Sequence, residues 1–286
     1  MKVGVVVLNY NVSKETIRVA SKLAEFSLIN TVIVVDNKSR DEEVEILKQW
    51  ATPSKVNLFF LEDNGGYAKG NNFGLRILVE QCDSDFCFIC NPDIYIEEND
   101  FVKIIESFIK CPQYGVLTCC REFSSGEPIR QYWNLPSYKD LVLQCFSLYR
   151  KFEKRKNIYS VPNKGVIRID VAPGAFWGVR SEVLKKVDYL DEQTFLYFEE
   201  SCFAKKISIC GYPEGLVTEA KYITNNEKSS TKIVRKDGRG FRYLLESKDF
   251  YMRKYLRPGK LRLMVWKMAY SISLKEYSLV LFIKGQ

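Results

Sequence analysis

The sequence predicts an α/β protein with a Rossmann-like, mostly parallel central sheet that carries helices on both faces. Two observations lead to this prediction. Strand-like and helix-like segments alternate through the first half of the chain, and the strand-like segments are continuous apolar runs. Strands of a parallel sheet are buried on both faces, so they show such runs instead of an apolar–polar alternation. The length of 286 residues suits one large domain with an appendage.

The first half contains four predicted strands joined by three predicted helices. The strands cover residues 2–10, 31–37, 56–63 and 85–91, and the helices cover residues 13–26, 40–51 and 67–82. The first helix carries Ile17, Ala20 and Leu23 at helical spacing. The second helix begins with acidic residues, which the positive end of the helix dipole favours.

The second half is less regular. Its predicted elements are a helix at 99–110, a strand at 114–120, a strand, turn and helix at 166–187, and a helix at 195–212. Residues 121–165 lack a regular pattern and are rich in aromatic and basic side chains, so we expect a lid or an acceptor-binding insertion there. The predicted domains are a catalytic domain over residues 1–220 and a helical extension over residues 221–286.

Charge separates the extension from the rest of the chain. The whole protein has a formal charge of +8, and residues 221–286 carry 16 Lys and Arg against 5 Asp and Glu. The extension also contains Trp266, Tyr270, Tyr277 and Phe282. Two interpretations remain open: a helix lying on an anionic membrane surface, or a helix packed on the domain or in a homodimer. A nucleic-acid partner is not expected, because no binding motif appears.

Three features of composition limit the chemistry and the compartment. Histidine is absent, which excludes a histidine base and histidine metal ligands. The nine cysteines show no regular spacing, so we expect reduced thiols and a cytoplasmic protein. No apolar run approaches the roughly 20 residues that a membrane span requires. The short apolar N-terminus lacks a cleavage signal and is predicted to be the first strand.

Polar residues follow each of the four predicted strands. They are Asn9, Tyr10 and Asn11, then Asp36, Asn37 and Ser39, then Asp63 and Asn64, and finally Asn91 and Asp93. In open parallel sheets, ligands bind beyond the carboxyl ends of the strands. Residues 64–74 add four glycines at a strand-to-helix junction, a composition that favours phosphate. The sequence therefore predicts a binding site along this rim.

Carboxylates supply the candidate chemistry. Asp93 offers hard oxygen ligands for Mg²⁺ or Mn²⁺, with diphosphate oxygens and water completing the coordination. Asp36 can accept hydrogen bonds from a nucleobase or a ribose. Glu199 and Glu200 follow an aromatic segment, where a raised pKa would suit a general base. The alternative for this pair is a solvated helix start, where acids are also common.

Six motifs occur in a recognisable order. They are VVVLNYN, IVVDNKS, NGGYAKGNNFGL, NPDIYI, APGAFWGVRSEVLKKVDYLDEQTFLYFEES and YLLESKDFYMRKYL. This set resembles the inverting family 2 glycosyltransferases of the GT-A fold, and most closely their rhamnosyltransferase-like bacterial branch. The likeness covers about residues 3–257.

The resemblance implies a role for each candidate residue. It implies a nucleotide-sugar site formed by Asn9, Tyr10, Asp36, Asn64, Gly66, Asn71, Asn91 and Asp93. Within that set, Asp93 would hold the divalent cation, Mg²⁺ or Mn²⁺. The acceptor side of the sugar site would be shaped by Gly174, Ala175 and Phe176. Glu200 stands where the family has its catalytic aspartate, with Glu199 as its neighbour.

The sequence departs from the family pattern at three positions. The base is Glu200 instead of an aspartate, and Cys202 stands in place of a second acid two residues later. Thr224 occupies the position of a histidine that can contact the metal or the diphosphate in the family. Metal binding is therefore expected to depend mainly on Asp93 and the nucleotide.

The expected reaction is transfer with inversion from a nucleoside-diphosphate sugar, either dTDP-rhamnose or a UDP-hexose. The expected acceptor is a glycan. Membrane contact by the extension, at the inner face of the cytoplasmic membrane, would fit a glycan linked to polyprenyl diphosphate, as in O-antigen or capsule synthesis. Glu199 and Asp191 are the next candidates for the base. Two alternatives remain: an inactive nucleotide-sugar-binding member, and a sugar nucleotidyltransferase, whose Gly-rich signature is missing after the first strand.

Overall fold

The structure is a computed structural model that describes residues 1–126, 129–153, 161, 165–225 and 239–283. The strands are β1 (Val3–Asn9), β2 (Thr31–Asp36), β3 (Val56–Phe60), β4 (Phe86–Cys90), β5 (Ile94–Ile96), β6 (Val116–Phe123), β7 (Val166–Ile169), β8 (Phe176–Arg180) and β9 (Glu214–Thr224). The helices are α1 (Ser13–Glu25), α2 (Asp41–Lys48), α3 (Gly66–Arg76), α4 (Glu98–Lys110), α5 (Tyr138–Gln144), α6 (Ser147–Glu153), α7 (Ser181–Val187), α8 (Glu199–Ile209), α9 (Arg239–Tyr251) and α10 (Lys260–Ile283). Wider π-helical turns extend α3 and α9.

The strands form one sheet in the order β3-β2-β1-β4-β8-β6-β9-β5, with β7 paired to β9. Strands β1 to β4 are mutually parallel, as the sequence predicts. Strand β8 runs antiparallel between β4 and β6, while β6 and β9 are parallel. The four parallel strands all end on the same rim, which is where the predicted site lies.

Helices cover both faces of the sheet. On one face, Val5 and Phe88 pack against Phe26, Phe101 and Phe108 of the α1–α4 side. On the other face, residues one position along the same strands pack against α3, α7 and α8. Because successive side chains point to opposite faces, both sets must be apolar. This two-sided core explains the continuous apolar strands, and the predicted fold class is confirmed.

Within the predicted extension, the described residues 239–283 are mainly helical, as predicted, and pack on the rest of the chain. A third apolar cluster joins α5, α8, α9 and α10; its fully packed members are Leu141, Cys145, Cys202, Tyr251, Met252, Trp266 and Ala269. Two short helices, α5 and α6, occupy part of the predicted 121–165 insertion, whose lid role stays a prediction. Residue 220, the predicted end of the catalytic domain, falls within β9.

The aromatic residues of the extension face the protein. Trp266 is fully buried, and its Nε1 donates a hydrogen bond of 2.7 Å to Asp249 Oδ1. Tyr277 stacks on Phe241 with 4.2 Å between ring centroids. The side chain of Phe282 lies outside the described residues. This face of α10 therefore packs on the protein, which is one of the two interpretations that the sequence left open. Among the described helices, none has the length and apolar character needed to cross a bilayer.

Candidate active site

A buried polar network closes the ends of β1 and β2. Asn9 Nδ2 donates to Asp36 Oδ1 at 2.6 Å and to Ser39 Oγ at 3.1 Å, and Asn9 Oδ1 accepts from Thr16 Oγ1 at 2.7 Å. The backbone N–H of Ser39 donates to Asp36 Oδ2 at 3.0 Å. This network fixes the two loops that flank half-buried Tyr10. Direct nucleotide contacts by Asn9, Tyr10 and Asp36 stay a prediction.

The glycine-rich segment, residues 64–74, connects the rim of the sheet to the loop before α8. Gly66 has a φ of +86°, and a Cβ there would lie 2.8 Å from Phe195 Cα. The backbone N–H of Tyr67 donates to Phe195 O at 2.8 Å. Asn64 Oδ1 accepts from the Gly66 N–H at 3.0 Å, and buried Asn71 donates to Tyr67 O at 3.0 Å. Only glycine fits at position 66, because this conformation and this close approach leave no room for a side chain.

Asp93 follows β4, and two groups at the end of β9 hold it. Thr224 Oγ1 donates to Asp93 Oδ2 at 3.2 Å, and the Asn225 N–H donates to the Asp93 carbonyl at 3.1 Å. The structure thus brings together Asp93 and Thr224, the residue that the resemblance assigns to the position of the histidine. Burial raises the pKa of Asp93, and the hydrogen bond from Thr224 opposes that rise. The Asn91 N–H donates to Ala175 O at 2.8 Å, which ties the Asp93 loop to the predicted acceptor side.

A cavity of about 480 Å³ opens beside Asp93. Its polar lining includes Lys14 and Arg18 from α1, together with Asn225. Arg18 also approaches Pro92 O and Ile94 O at 3.4 Å. Glu15 also lines the cavity, so two cations and two carboxylates surround it. The cations suit a diphosphate, and the carboxylates suit its counter-ion. Sequence reasoning missed Lys14 and Arg18, whose only signal was their spacing of four residues at the start of α1.

A divalent cation fits this site only with help from the ligand. The part of the chain that the structure describes contains no group of three or more Cys, Asp or Glu side chains able to hold a metal. Asp93 can supply carboxylate oxygens, which Mg²⁺ and Mn²⁺ prefer. Phosphate oxygens and water would have to complete the coordination. That requirement agrees with the expectation that metal binding depends on the nucleotide.

The two candidate bases begin α8 in an enclosed position. Tyr197 and Phe198 both have left-handed backbones, with φ of 70° and 75°, and turn the chain inward just before the helix. Glu199 is 4 % exposed, and its Oε1 has no hydrogen-bond partner. Burial raises the pKa of Glu199, and the charge of Glu200 raises it further. The solvated-helix-start interpretation is therefore wrong for Glu199.

Glu200 has an environment suited to a base. Burial raises its pKa, while hydrogen bonds from its own backbone and from Gly174, together with the charge of Arg121, lower it. A carboxylate whose pKa moves toward the working pH accepts protons more effectively. Arg121 from β6 was not singled out from the sequence, since nothing local marks it as a neighbour of α8.

Gly174 lies between Glu200 and Tyr67. A Cβ at position 174 would lie 2.8 Å from Glu200 Cγ and 2.9 Å from Cδ. Tyr67 Oη donates to the Gly174 carbonyl at 2.5 Å. Burial, reinforced by the charges of Glu200 and Glu199, raises the pKa of Tyr67, so the phenol stays a neutral donor. Ala175 is partly buried beside this contact.

Phe176 lies in the core instead of lining an acceptor pocket. It is fully buried, and its ring contacts Phe88, Phe101 and Tyr222. It starts β8, which pairs with β4 at Cys90. Phe176 can therefore influence the acceptor side only through the backbone it anchors. The predicted acceptor role of residues 174–176 stays a prediction, and the structure favours Gly174 as its main member.

Backbone contacts connect the Asp93 loop with the Glu200 side. The Asn91 N–H donates to Ala175 O, and Gly174, the preceding residue, lies against Glu200. Asp191, the third candidate base, is engaged elsewhere. Its two oxygens contact Lys254 Nζ and Tyr255 Oη, and Lys206 Nζ lies 3.5 Å away. This ion cluster joins α8 to the C-terminal extension, so the structure gives Asp191 a structural role.

Replacing Gly174 by Ala should lower kcat by about tenfold or more, since a misplaced catalytic group can cost up to roughly 10²-fold. The new methyl group would overlap the Glu200 carboxylate and force it out of position. Steady-state kinetics would measure the loss. Gly259→Ala is the matched control, because a Cβ at that position meets no atom within 4 Å. Equal kcat in both variants would mean that Glu200 is not held by this contact.

Solved structures with the same architecture belong to glycosyltransferases. The mannosyltransferase PcManGT from Pyrobaculum calidifontis, solved with GDP-Man and Mn²⁺, superposes with a TM-score of 0.60 at 16 % identity, covering 99 % of this chain and 75 % of that one. Residues 1–349 of S. aureus TarS in complex with UDP give a TM-score of 0.57 at 17 % identity, covering 93 % of this chain and 70 % of that one. The chain has the GT-A fold.

The sequence comparisons define the family. Residues 4–188 match the model described as glycosyl transferase family 2, and this chain belongs to that family. The low-salt glycan biosynthesis hexosyltransferase Agl10 of Haloferax volcanii is 23 % identical over 69 % of this chain and 58 % of its own length. The rhamnosyltransferase WbbL of Escherichia coli K12 is 22 % identical over 51 % of this chain and 55 % of its own length. The chain thus spans little more than half of either relative.

Proposed function

We propose that this glycosyltransferase moves a sugar, with inversion, from a nucleoside-diphosphate donor to a hydroxyl group of a glycan. Two observations support the proposal. Glu200 is a half-buried carboxylate with a raised pKa, and Asp93 borders a cavity whose lining includes Lys14, Glu15 and Arg18. A base on one side and a diphosphate-binding cavity on the other are what a single displacement requires.

In the proposed mechanism, Glu200 accepts the proton of the acceptor hydroxyl. The acceptor oxygen then attacks the anomeric carbon as the bond to the nucleoside diphosphate breaks on the opposite face. Lys14 and Arg18 neutralise negative charge that develops on the leaving diphosphate. A divalent cation bound at Asp93 would add Lewis-acid stabilisation of the same oxygens. Tyr67 holds the Gly174 carbonyl, so that the peptide beside Glu200 stays in place.

The proposed donor and acceptor are based on the proteins to which this chain is similar. Structural neighbours were solved with UDP, UDP-GlcNAc and GDP-Man, and one relative is named a rhamnosyltransferase. We infer a dTDP-rhamnose or UDP-hexose donor. Agl10 is named for glycan biosynthesis, which supports a glycan acceptor. We extend this to a polyprenyl-diphosphate-linked glycan of a bacterial surface polysaccharide, assembled at the cytoplasmic face of the membrane.

The alternative functions are a sugar nucleotidyltransferase and an inactive nucleotide-sugar-binding member. Family membership argues against a sugar nucleotidyltransferase. An inactive nucleotide-sugar-binding member draws support from one observation: Thr224, a weak ligand, contacts Asp93 where the resemblance places a histidine. A binding module would bind the nucleotide without turning over its sugar.

Release of nucleoside diphosphate from a donor panel separates these functions. The panel contains dTDP-rhamnose, UDP-glucose, UDP-GlcNAc and GDP-mannose, each with and without Mn²⁺ or Mg²⁺. Slow hydrolysis of one donor, raised by a glycan acceptor and by the cation, is the expected result. The anomeric configuration of the product, read by NMR, tests inversion. Binding without turnover of any donor would favour the inactive module.

A further inference from the structure

Helix α10 has two apolar faces. One face packs on the protein through Trp266, Ala269 and Ser273, which are almost completely buried. The other face is exposed and consists of Leu261, Met264, Val265, Met268, Ile272 and Leu279. At 3.6 residues per turn, these six side chains form one stripe along the helix, which we call the outer stripe. An amphipathic surface helix needs only one apolar face, so the outer stripe calls for a partner.

The charged side chains around the outer stripe are almost all positive. Lys260, Arg262, Lys267 and Lys275 are exposed beside or within it. The sequence of α10 contains a single acid, Glu276. That carboxylate accepts a hydrogen bond of 3.0 Å from the Ser147 N–H and lies 3.9 Å from Arg150. The exposed side of α10 therefore offers cations and aliphatic groups but no free carboxylate.

We propose that the outer stripe docks on the surface of an anionic lipid bilayer, with α10 lying in the plane of the headgroups. Aliphatic side chains would enter the boundary of the acyl chains, and the flanking lysines would contact lipid phosphates. A second copy of the chain is the main competitor for this surface. Two copies meeting through the same stripe would bring their lysines together, which is unfavourable. Anionic headgroups complement the same charges.

Docking in this orientation would couple the membrane to the catalytic side of the molecule. Helix α9 leads into α10, and the segment after α9 is connected to α8 through Asp191, which contacts both Lys254 and Lys206 of α8. Glu200 stands at the other end of α8. A lipid-linked acceptor would then reach the base from the surface on which α10 rests, an extension that depends on the proposed function. The docking itself depends only on α10.

The test is flotation of the full chain with lipid vesicles, without nucleotide or acceptor. Phosphatidylcholine vesicles are compared with vesicles that also contain phosphatidylglycerol. The wild type should float with the anionic vesicles, and added salt should weaken its binding. Met268→Ser combined with Ile272→Ser should weaken binding by about tenfold or more, because two apolar side chains no longer enter the bilayer.

Ile109→Ser combined with Ile209→Ser is the matched control. These isoleucines are 61 % and 66 % exposed on α4 and α8, against 52 % and 43 % for Met268 and Ile272. The control variant should float like the wild type. Equal flotation of the Met268/Ile272 variant would overturn the proposal. A second result would also overturn it: the wild type does not bind vesicles and sediments as a dimer, and the Met268/Ile272 variant sediments as a monomer. Flotation does not depend on catalysis, so a protein that turns over no sugar donor could still bind vesicles. The proposed function and the proposed docking can therefore be disproved independently.

Discussion

Glu200→Gln is expected to lower kcat by about 10²- to 10⁴-fold, the usual contribution of a general base. Glutamine preserves the shape of the side chain beneath Gly174 but cannot accept the proton of an acceptor hydroxyl. Nucleotide affinity should stay close to that of the wild type, since the cavity beside Asp93 is unchanged. Steady-state kinetics gives kcat, and calorimetry gives the nucleotide Kd.

Glu199→Gln is the matched control for that experiment. It removes the neighbouring charge but leaves Glu200 in place, so kcat should fall far less. If Glu200→Gln turned over donor at a near-normal rate while Glu199→Gln did not, the base would be Glu199. Loss of nucleotide binding in Glu200→Gln would instead indicate a misfolded site.

The pH dependence of activity follows from the same environment. A base works only when it is deprotonated, so activity must fall as the pH falls through the pKa of Glu200. Burial raises that pKa, which places the acid limb of kcat/KM above the ordinary range near 4.5. The stability of the folded state changes with pH in the opposite direction to activity. A raised carboxyl pKa makes ionised Glu200 a cost to the folded state, and that cost grows as the pH rises through the folded pKa.

The second large effect concerns Asp191. Asp191→Asn should lower the free energy of unfolding by roughly 3 kcal/mol, the lower end of the range for breaking a buried ion pair. The aspartate side chain is 3 % exposed and balances Lys206 and Lys254, whose side chains are 18 % and 40 % exposed. Its removal leaves two neighbouring cations without their partner. Partial exposure of Lys254 limits the cost. Chemical denaturation measures the change.

Asp63→Asn provides the comparison for this prediction. Asp63 pairs with Lys69 at 3.1 Å, but both side chains are well exposed. An exposed pair contributes about 0–1 kcal/mol, so this variant should unfold like the wild type. Because the Asp191 cluster joins the extension to α8, Asp191→Asn should also lower kcat. Wild-type stability in Asp191→Asn would show that the extension is not held through this cluster.

Sequence reasoning identified the rim of the sheet and the residues that line it. Val5 and Val6 both had to be apolar because helices cover both faces, and this pattern revealed the parallel strands. Since parallel strands end together, Asn9, Asp36 and Asp93 could be assigned to one rim before the structure was known. The motif order then predicts that Glu200 belongs to the same site. Thr224 contacts Asp93, and the resemblance expects a metal- or diphosphate-contacting residue at position 224.

Other features depend on long-range packing that no local pattern encodes. Phe176 was assigned to the acceptor side from its motif, but β8 inserts antiparallel beside β4 and turns the ring into the core. Lys14 and Arg18 look like ordinary solvated helix residues until β5 and β9 close a cavity around them. Asp191 resembled a catalytic candidate until the extension brought Lys254 and Tyr255 onto it. Each case required the position of a distant strand or helix.

The most direct test of the central claim is nucleotide binding that depends on both Asp93 and a cation. A thermal-shift panel would compare UDP, dTDP, GDP and CDP, each with and without Mn²⁺ or Mg²⁺, for the wild type and Asp93→Ala. We predict that one nucleotide stabilises the wild type when the cation is present, by about 2.7 kcal/mol at 100 times its Kd. The stabilisation should vanish in Asp93→Ala. Lack of any shift in the wild type, or an undiminished shift in Asp93→Ala, would contradict the proposed site.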